Sequence, residues 1–182
     1  MLSVKAGTVM TLEITEMSLA DREQVLRIYL DGIATGQATF ETEVPSWEEW
    51  DGGHLSFARL VAISDGRVKG WAALSPVSRR TVYRGVAEVS VYVDRDWRGQ
   101  GVGRVLLEKL IEASEKHGLW TLQASIFPQN EASIALHKSC GFREVGVRER
   151  IARLHGVWRN TVLLERRSKA VGNSEDRGKN TH

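Results

Sequence analysis

The most constraining stretch of this chain is Arg98-Gly99-Gln100-Gly101-Val102-Gly103-Arg104, in which three alternate glycines lie between two arginines. Before it runs the alternating apolar segment Ala87–Val93. After it, Val102, Leu106, Leu110 and Ala113 recur as a helical stripe to about Lys116, with Gly118 beyond. A strand, glycine loop and helix in that order let successive backbone N–H groups converge on an anion without β-carbons in the way, and the helix dipole adds attraction. Arg98 and Arg104 either reinforce that charge or are simply solvated. Taken alone, the loop also reads as a tight strand-to-helix turn. Two phosphate motifs are excluded. There is no Gly-Lys-Ser/Thr ending of a nucleoside-triphosphate loop, and the glycine spacing and the three preceding β-runs do not fit a dinucleotide fold.

More strands surround this unit. Thr11–Ile14 is the first patterned segment, and Ser18 with Asp21 caps a helix carrying Val25, Ile28 and Tyr29 up to Gly32. From Ile33 to Asp51 the pattern breaks around Pro45. Its aromatics Phe40, Trp47 and Trp50 predict a loop or short helix over a pocket, or plain packing. Phe57–Ile63 and Val68–Leu74 flank a hairpin signal, Ser64-Asp-Gly-Arg67, and a polar loop follows at Arg79–Arg84. In Ala87–Val93, alternation puts Glu88, Ser90 and Tyr92 on one face and Val89, Val91 and Val93 on the other. Thr121–Phe127 is a further strand, and Asn130 caps a short helix to about Ser139 that Gly141 ends. Phe142–Arg153 and Thr161–Arg166 are the last strands, joined through His155-Gly-Val-Trp158.

That order predicts an α/β fold, with a mixed, mostly antiparallel central sheet flanked by helices, as a single domain over residues 11–168. Residues 1–10 read as an N-terminal extension, with either Met1 or Met10 as the native start. The polar residues 169–182 read as a disordered tail. A formal net charge of +2 gives no electrostatic reason to expect a nucleic-acid partner. No apolar run approaches the roughly 20 residues that span a bilayer, and Cys140 is the only cysteine, so a soluble cytoplasmic protein with no membrane partner is expected. The histidines show no metal-ligand spacing, and no metal is expected.

The loop resembles the CoA-binding signature of the GCN5-related N-acetyltransferase superfamily, Gln/Arg-x-x-Gly-x-Gly/Ala, which Arg98 to Gly103 matches in full. A second segment, Asn130-Glu-Ala-Ser-Ile-Ala-Leu-His-Lys-Ser-Cys-Gly-Phe142, resembles that family's Asn-x-x-Ala/Ser through Gly-Phe, in the right order and on the right element. The resemblance covers Leu12 to Arg166 and implies the acyl-CoA N-acyltransferase fold with acetyl-CoA as co-substrate. It further implies that the strand before the loop splays from its neighbour, that the backbone of Val91, Tyr92 and Val93 pairs with the pantetheine arm, and that Asn130 contacts the same arm with Ser133 one turn on.

Acetyl transfer from a thioester to an amine requires a neutral amine, a polarised carbonyl and a proton for the departing thiolate. An α-amine of pKa about 8 is only about one-tenth free base at pH 7, so a base is useful, and Glu88 on the pocket strand fits, directly or through water. Its other reading is an exposed or ion-paired strand carboxylate. A simple thiolate near pKa 8.5 needs only a weak acid. Many relatives place a Tyr one helical turn after the conserved Asn segment, where this chain has His137, which is either that acid or a packed histidine. The backbone N–H of Tyr92 or Val93 is the candidate for polarising the carbonyl. Cys140 precedes the helix-ending Gly141 with no evident partner, so direct transfer is favoured over a covalent intermediate.

Within the superfamily the chain is similar to the phosphinothricin and methionine sulfoximine acetyltransferases, through Gly32 to Glu43, Tyr83 with Ala87–Val93, and His155-Gly-Val-Trp-Arg159. That likeness implies a small amino-acid-like acceptor, such as phosphinothricin, methionine sulfoximine or sulfone, or arsinothricin, whose acetylation confers resistance. Phe40, Trp71 and Tyr83 would wall its pocket beside Glu88 and Ser90, while Arg79 and Arg80 would hold its oxyanion unless they are solvated loop residues. It also implies a homodimer, with Trp158 and the last two strands as contact surface. Transfer to a protein or peptide amine, or a CoA-sensing module without turnover, are the competing readings.

Overall fold

The structure, a computed structural model, describes residues 11–173. Seven strands form one sheet in the spatial order β1 (Glu13–Glu16), β2 (Leu60–Ser64), β3 (Arg67–Pro76), β4 (Val86–Val93), β5 (Thr121–Ile126), β7 (Val157–Arg167), β6 (Arg143–Leu154). Every neighbouring pair is antiparallel except β4 and β5, which run parallel because α3 (Val102–Lys116) crosses over between them. The other helices are α1 (Arg22–Ala34), α2 (Trp47–Gly53) and α4 (Glu131–Ser139).

Each face of the sheet buries its own core. On one, the apolar stripe of α3, with Leu106, Leu107 and Leu110 fully buried, packs on Ala72, Leu74, Ala87, Leu122 and Leu164. On the other, Val25 and Ile28 of α1 and Trp50 of α2 pack on Val61, Trp71 and Ala73. Period-2 alternation assigns the faces: Ala87 and Val89 join the first core, which turns Glu88, Ser90 and Tyr92 toward α1.

Local chemistry explains the boundaries. The β2–β3 turn has positive φ at both Asp65 (51°) and Gly66 (69°), as a two-residue primed turn requires. Helix α2 exists because Ser46 Oγ accepts from the Glu49 amide while the Glu49 carboxylate accepts from the Ser46 amide. Strand β2 begins at Leu60 and not at Phe57, since Ala58 is in the left-handed region. The last turn is only His155-Gly156, so Val157 and Trp158 belong to β7 and the β6–β7 hairpin is longer than expected. Residues 169–173, expected to be disordered, are instead tied down: Arg167 donates to the Val171 and Gly172 carbonyls, and the Ala170 and Val171 amides donate to Ser168 Oγ. The rest of that tail and the 1–10 extension lie outside the described residues. Among the described residues no helix is long and apolar enough to cross a membrane.

Candidate active site

Strand β4 pairs with β5 at only three positions, Val86 with Thr121, Ala87 with Leu122 and Glu88 with Gln123, whereas its pairing with β3 continues through Val93. Beyond Glu88 the parallel strands part. A cavity of about 810 Å³ occupies the gap, and Ser90, Val91, Tyr92 and Val93 line it from β4 while Ala124, Ser125 and Ile126 line it from β5. The β4 backbone groups turned away from β3 are thereby left for an extended ligand to pair with, as an edge strand would offer them.

At one end lies the glycine loop. Gly99 (φ 74°) and Gly101 (φ 84°) take left-handed conformations, and an added Cβ would meet nothing within 4 Å at either. They are glycines for backbone reasons, not for room. Gly103 is different: a Cβ there would sit 3.2 Å from Leu136, so it sets how closely α3 approaches α4. Gly101 is the N-cap of α3, and the first intrahelical bond runs from the Val105 amide to its carbonyl at 3.1 Å, so the amides of Val102, Gly103 and Arg104 are left for a ligand. Arg98 lines the cavity and donates from Nε to the Val93 carbonyl (3.3 Å), while Arg104 lines it and pairs with Glu108 (2.9 Å). Gln100 is not on the wall; its Nε2 donates to the Asp96 carbonyl (2.8 Å) and closes the loop. Two cations, three outward amides and no acidic residue in the first helical turn suit a pyrophosphate.

The middle of the cavity holds the titratable groups. Glu88 lines it and accepts a hydrogen bond on Oε2 from Gln123 Nε2 (3.0 Å). His137 also lines it but is 4% exposed. Its Nδ1 is 2.8 Å from the Ser133 carbonyl, which can only accept, so the proton sits on Nδ1. Nε2 is buried with no partner among the described residues, and burial pushes the imidazole pKa below its ordinary value. The lowered pKa favours the neutral ring, with the Nε2 lone pair free, which fits the packed reading of His137 better than the acid one. Asn130 Oδ1 accepts from the Ser133 amide, and its Nδ2 donates to the Gln37 carbonyl (3.3 Å). One side chain therefore fixes α4 and the segment after α1 together. Cys140 is absent from the wall, and burial raises its thiol.

The far end is walled by Tyr29, Gln37, Thr39, Phe40 and Glu41 against Phe127, with Phe40 set edge-on to Phe127 at 4.8 Å. Burial lifts the Tyr29 hydroxyl above its ordinary pKa and Tyr92 further still, so both are un-ionised donors at neutral pH. Phe40, Glu88 and Ser90 sit together here as expected. Four other candidates do not. Trp71 is 1% exposed and stacks behind Tyr92 at 4.8 Å, shaping the wall without reaching it, because its strand position faces the second core. Arg79, Arg80 and Tyr83 occupy the turn after β3, where Arg80 lies over the half-exposed Tyr83 ring, and none lines the cavity within one chain. Gln37, Thr39 and Phe127 also line the cavity, and Gln123 holds Glu88 from behind the wall. No local motif marks them, since each acquires its place only when α1, β4 and β5 assemble.

Residues 22–142 match the model of the acetyltransferase (GNAT) family. The phosphinothricin N-acetyltransferase of Alcaligenes faecalis is 36% identical over 155 residues, 80% of this chain and 77% of that protein. The L-methionine sulfoximine/L-methionine sulfone acetyltransferase of Pseudomonas aeruginosa is 31% identical over 86% of this chain and 94% of its own. Among solved structures, a GNAT superfamily phosphinothricin acetyltransferase from Sinorhizobium meliloti in complex with acetyl-CoA superposes with a TM-score of 0.79 at 29% identity, covering 92% of this chain and 97% of that one.

Proposed function

The chain belongs to the acetyltransferase (GNAT) family and is an N-acetyltransferase; from that premise we propose that it transfers the acetyl group of acetyl-CoA to the α-amine of a small amino-acid-like acceptor of the phosphinothricin or methionine sulfoximine kind, and so protects the cell from such analogues. The observation that carries this reading is the position of Glu88, the last β4 residue paired to β5, at the mouth of the gap that opens there. The open β4 edge and the glycine loop fit the pantetheine and pyrophosphate of the co-substrate, which supplies the acetyl thioester. Glu88 takes a proton from the acceptor ammonium, directly or through water, and frees the lone pair that attacks. The Val93 amide steadies the carbonyl oxygen: the Asp94 amide donates to the Lys69 carbonyl, so alternation turns the Tyr92 amide to β3 as well and leaves that of Val93 facing the cavity. His137 walls the thioester end as a neutral group, and the thiolate takes its proton from the second N–H of the attacking amine. Transfer is direct, since Cys140 stands off the cavity wall.

The 37–41 segment and Phe127 line the far end with an aromatic wall, which supports a small acceptor over a peptide. Exposed Val147, Ile151, Val157 and Trp158 on the β6–β7 hairpin support a homodimer through that face in the cytoplasm, where acetyl-CoA is at hand. Light scattering is expected to give a dimer mass that Trp158→Glu lowers to that of a monomer. The activity is tested by a panel of free amino-acid analogues and peptides with acetyl-CoA, following thiol release. Saturable turnover of methionine sulfoximine or phosphinothricin is expected; turnover of peptides alone would overturn the acceptor assignment.

A further inference from the structure

Gln123 stands directly opposite Glu88 at the last register pair of β4 and β5. Both strands alternate in the same phase there: Ala87 and Val89 enter one core with Leu122 and Ala124, so Glu88 and Gln123 emerge together on the other face. The amide Nε2 donates to Glu88 Oε2 at 3.0 Å. Glu88 makes no salt bridge among the described residues, and Gln123 does not line the cavity. From this geometry we propose that Gln123 is a positioning residue for acetyl transfer: its amide fixes the Glu88 carboxylate at the fork and leaves Oε1 to take the acceptor's proton. The inference rests on Glu88 being the base.

The chemistry favours an amide in this place. A neutral donor orients a carboxylate and supports its ionised form, whereas Lys or Arg would stabilise that form strongly enough to weaken it as a base. A hydrocarbon would leave the carboxylate free to rotate. The pair also links geometry to opening, because the register that ends the sheet pairing is the one that holds the base.

The test uses Gln123→Met, which keeps the size and removes the donor, and Gln123→Lys, which strengthens it, with L-methionine sulfoximine as acceptor. For Gln123→Met, kcat/KM is expected to fall about tenfold, with the acid limb of its pH profile displaced to higher pH and the Kd for acetyl-CoA unchanged. For Gln123→Lys the acid limb is expected to move to lower pH. In the Glu88→Ala background Gln123→Met should cost nothing further. Acid limbs that stay at the wild-type pH in both variants, or an equal loss in the Glu88→Ala background, would overturn the inference while leaving the base assignment standing. If Glu88→Ala itself retains wild-type turnover, the base assignment fails, and the role of Gln123 fails with it for that separate reason.

Discussion

Glu88 and His137 line one cavity in opposite circumstances. Glu88 is partly exposed and hydrogen-bonded on one oxygen, so its other oxygen can act on a ligand. His137 is sealed, its only proton already given to the Ser133 carbonyl, and burial lowers its pKa. These states predict different mutational costs. Glu88→Ala is expected to lower kcat/KM by about 10² to 10⁴, the range of a lost general base, with the acetyl-CoA Kd measured calorimetrically within about twofold of the wild type. His137→Phe preserves the aromatic packing edge-on to Phe142 and removes only the bond to Ser133. A loss in kcat below about tenfold and an unmoved alkaline limb are expected for it; disappearance of that limb would restore His137 as the acid for the thiolate.

At the scale of elements, the far wall of the cavity depends on how closely α1 can lie on β4. Gly32 of α1 makes this possible: a Cβ there would fall 2.7 Å from the Tyr92 ring, which is itself pinned against Trp71 and Tyr29. Alanine improves helix propensity by about 1 kcal/mol, but forcing a methyl into a ring that cannot retreat costs about 1–3 kcal/mol. Gly32→Ala is therefore expected to lower the thermal midpoint by a few degrees and to raise the acceptor KM more than that of acetyl-CoA, because Tyr92 is displaced on the acceptor side. A raised midpoint with unchanged KM would show that the contact relaxes freely. Gly32 also illustrates what the sequence conceals. It reads as a helix end, yet α1 continues to Ala34, because the glycine is set by a neighbour sixty residues away and not by a cap. The glycine loop, the Asn130 cap and the alternation of β4 were legible because each is written in consecutive residues. Arg79, Arg80, Tyr83 and Trp71 lie off the cavity wall of the single chain, because residue type alone does not say which way a turn leaves the sheet or which core a strand face meets.

The molecule as a whole is two cores sharing one sheet, with a half-buried histidine against one and a buried histidine against the other. His54 stacks on Trp50 at 4.1 Å and bonds through Nδ1 to the Trp50 carbonyl on the α2 side, while His137 abuts Phe142 on the other. Burial depresses the pKa of both. An unfolded chain binds protons at these sites below about pH 6.5, where the native state still resists them, so stability should decline as pH falls from there and level off below the native values. The carboxylates act in a separate, lower window. Burial opposes ionisation of Asp94 and Glu115, but Arg27 and the Asp96 amide for the first, and Arg166 and Ser168 for the second, outweigh it and lower both pKa values. Their contribution is whole above about pH 4 and is lost in acid. Urea midpoints measured at pH 8, 6 and 5 should therefore fall mainly between the last two, and the His54→Phe/His137→Phe double variant should show a shallower fall whatever its absolute stability. An unchanged fall in that variant would assign the loss to groups other than these two histidines.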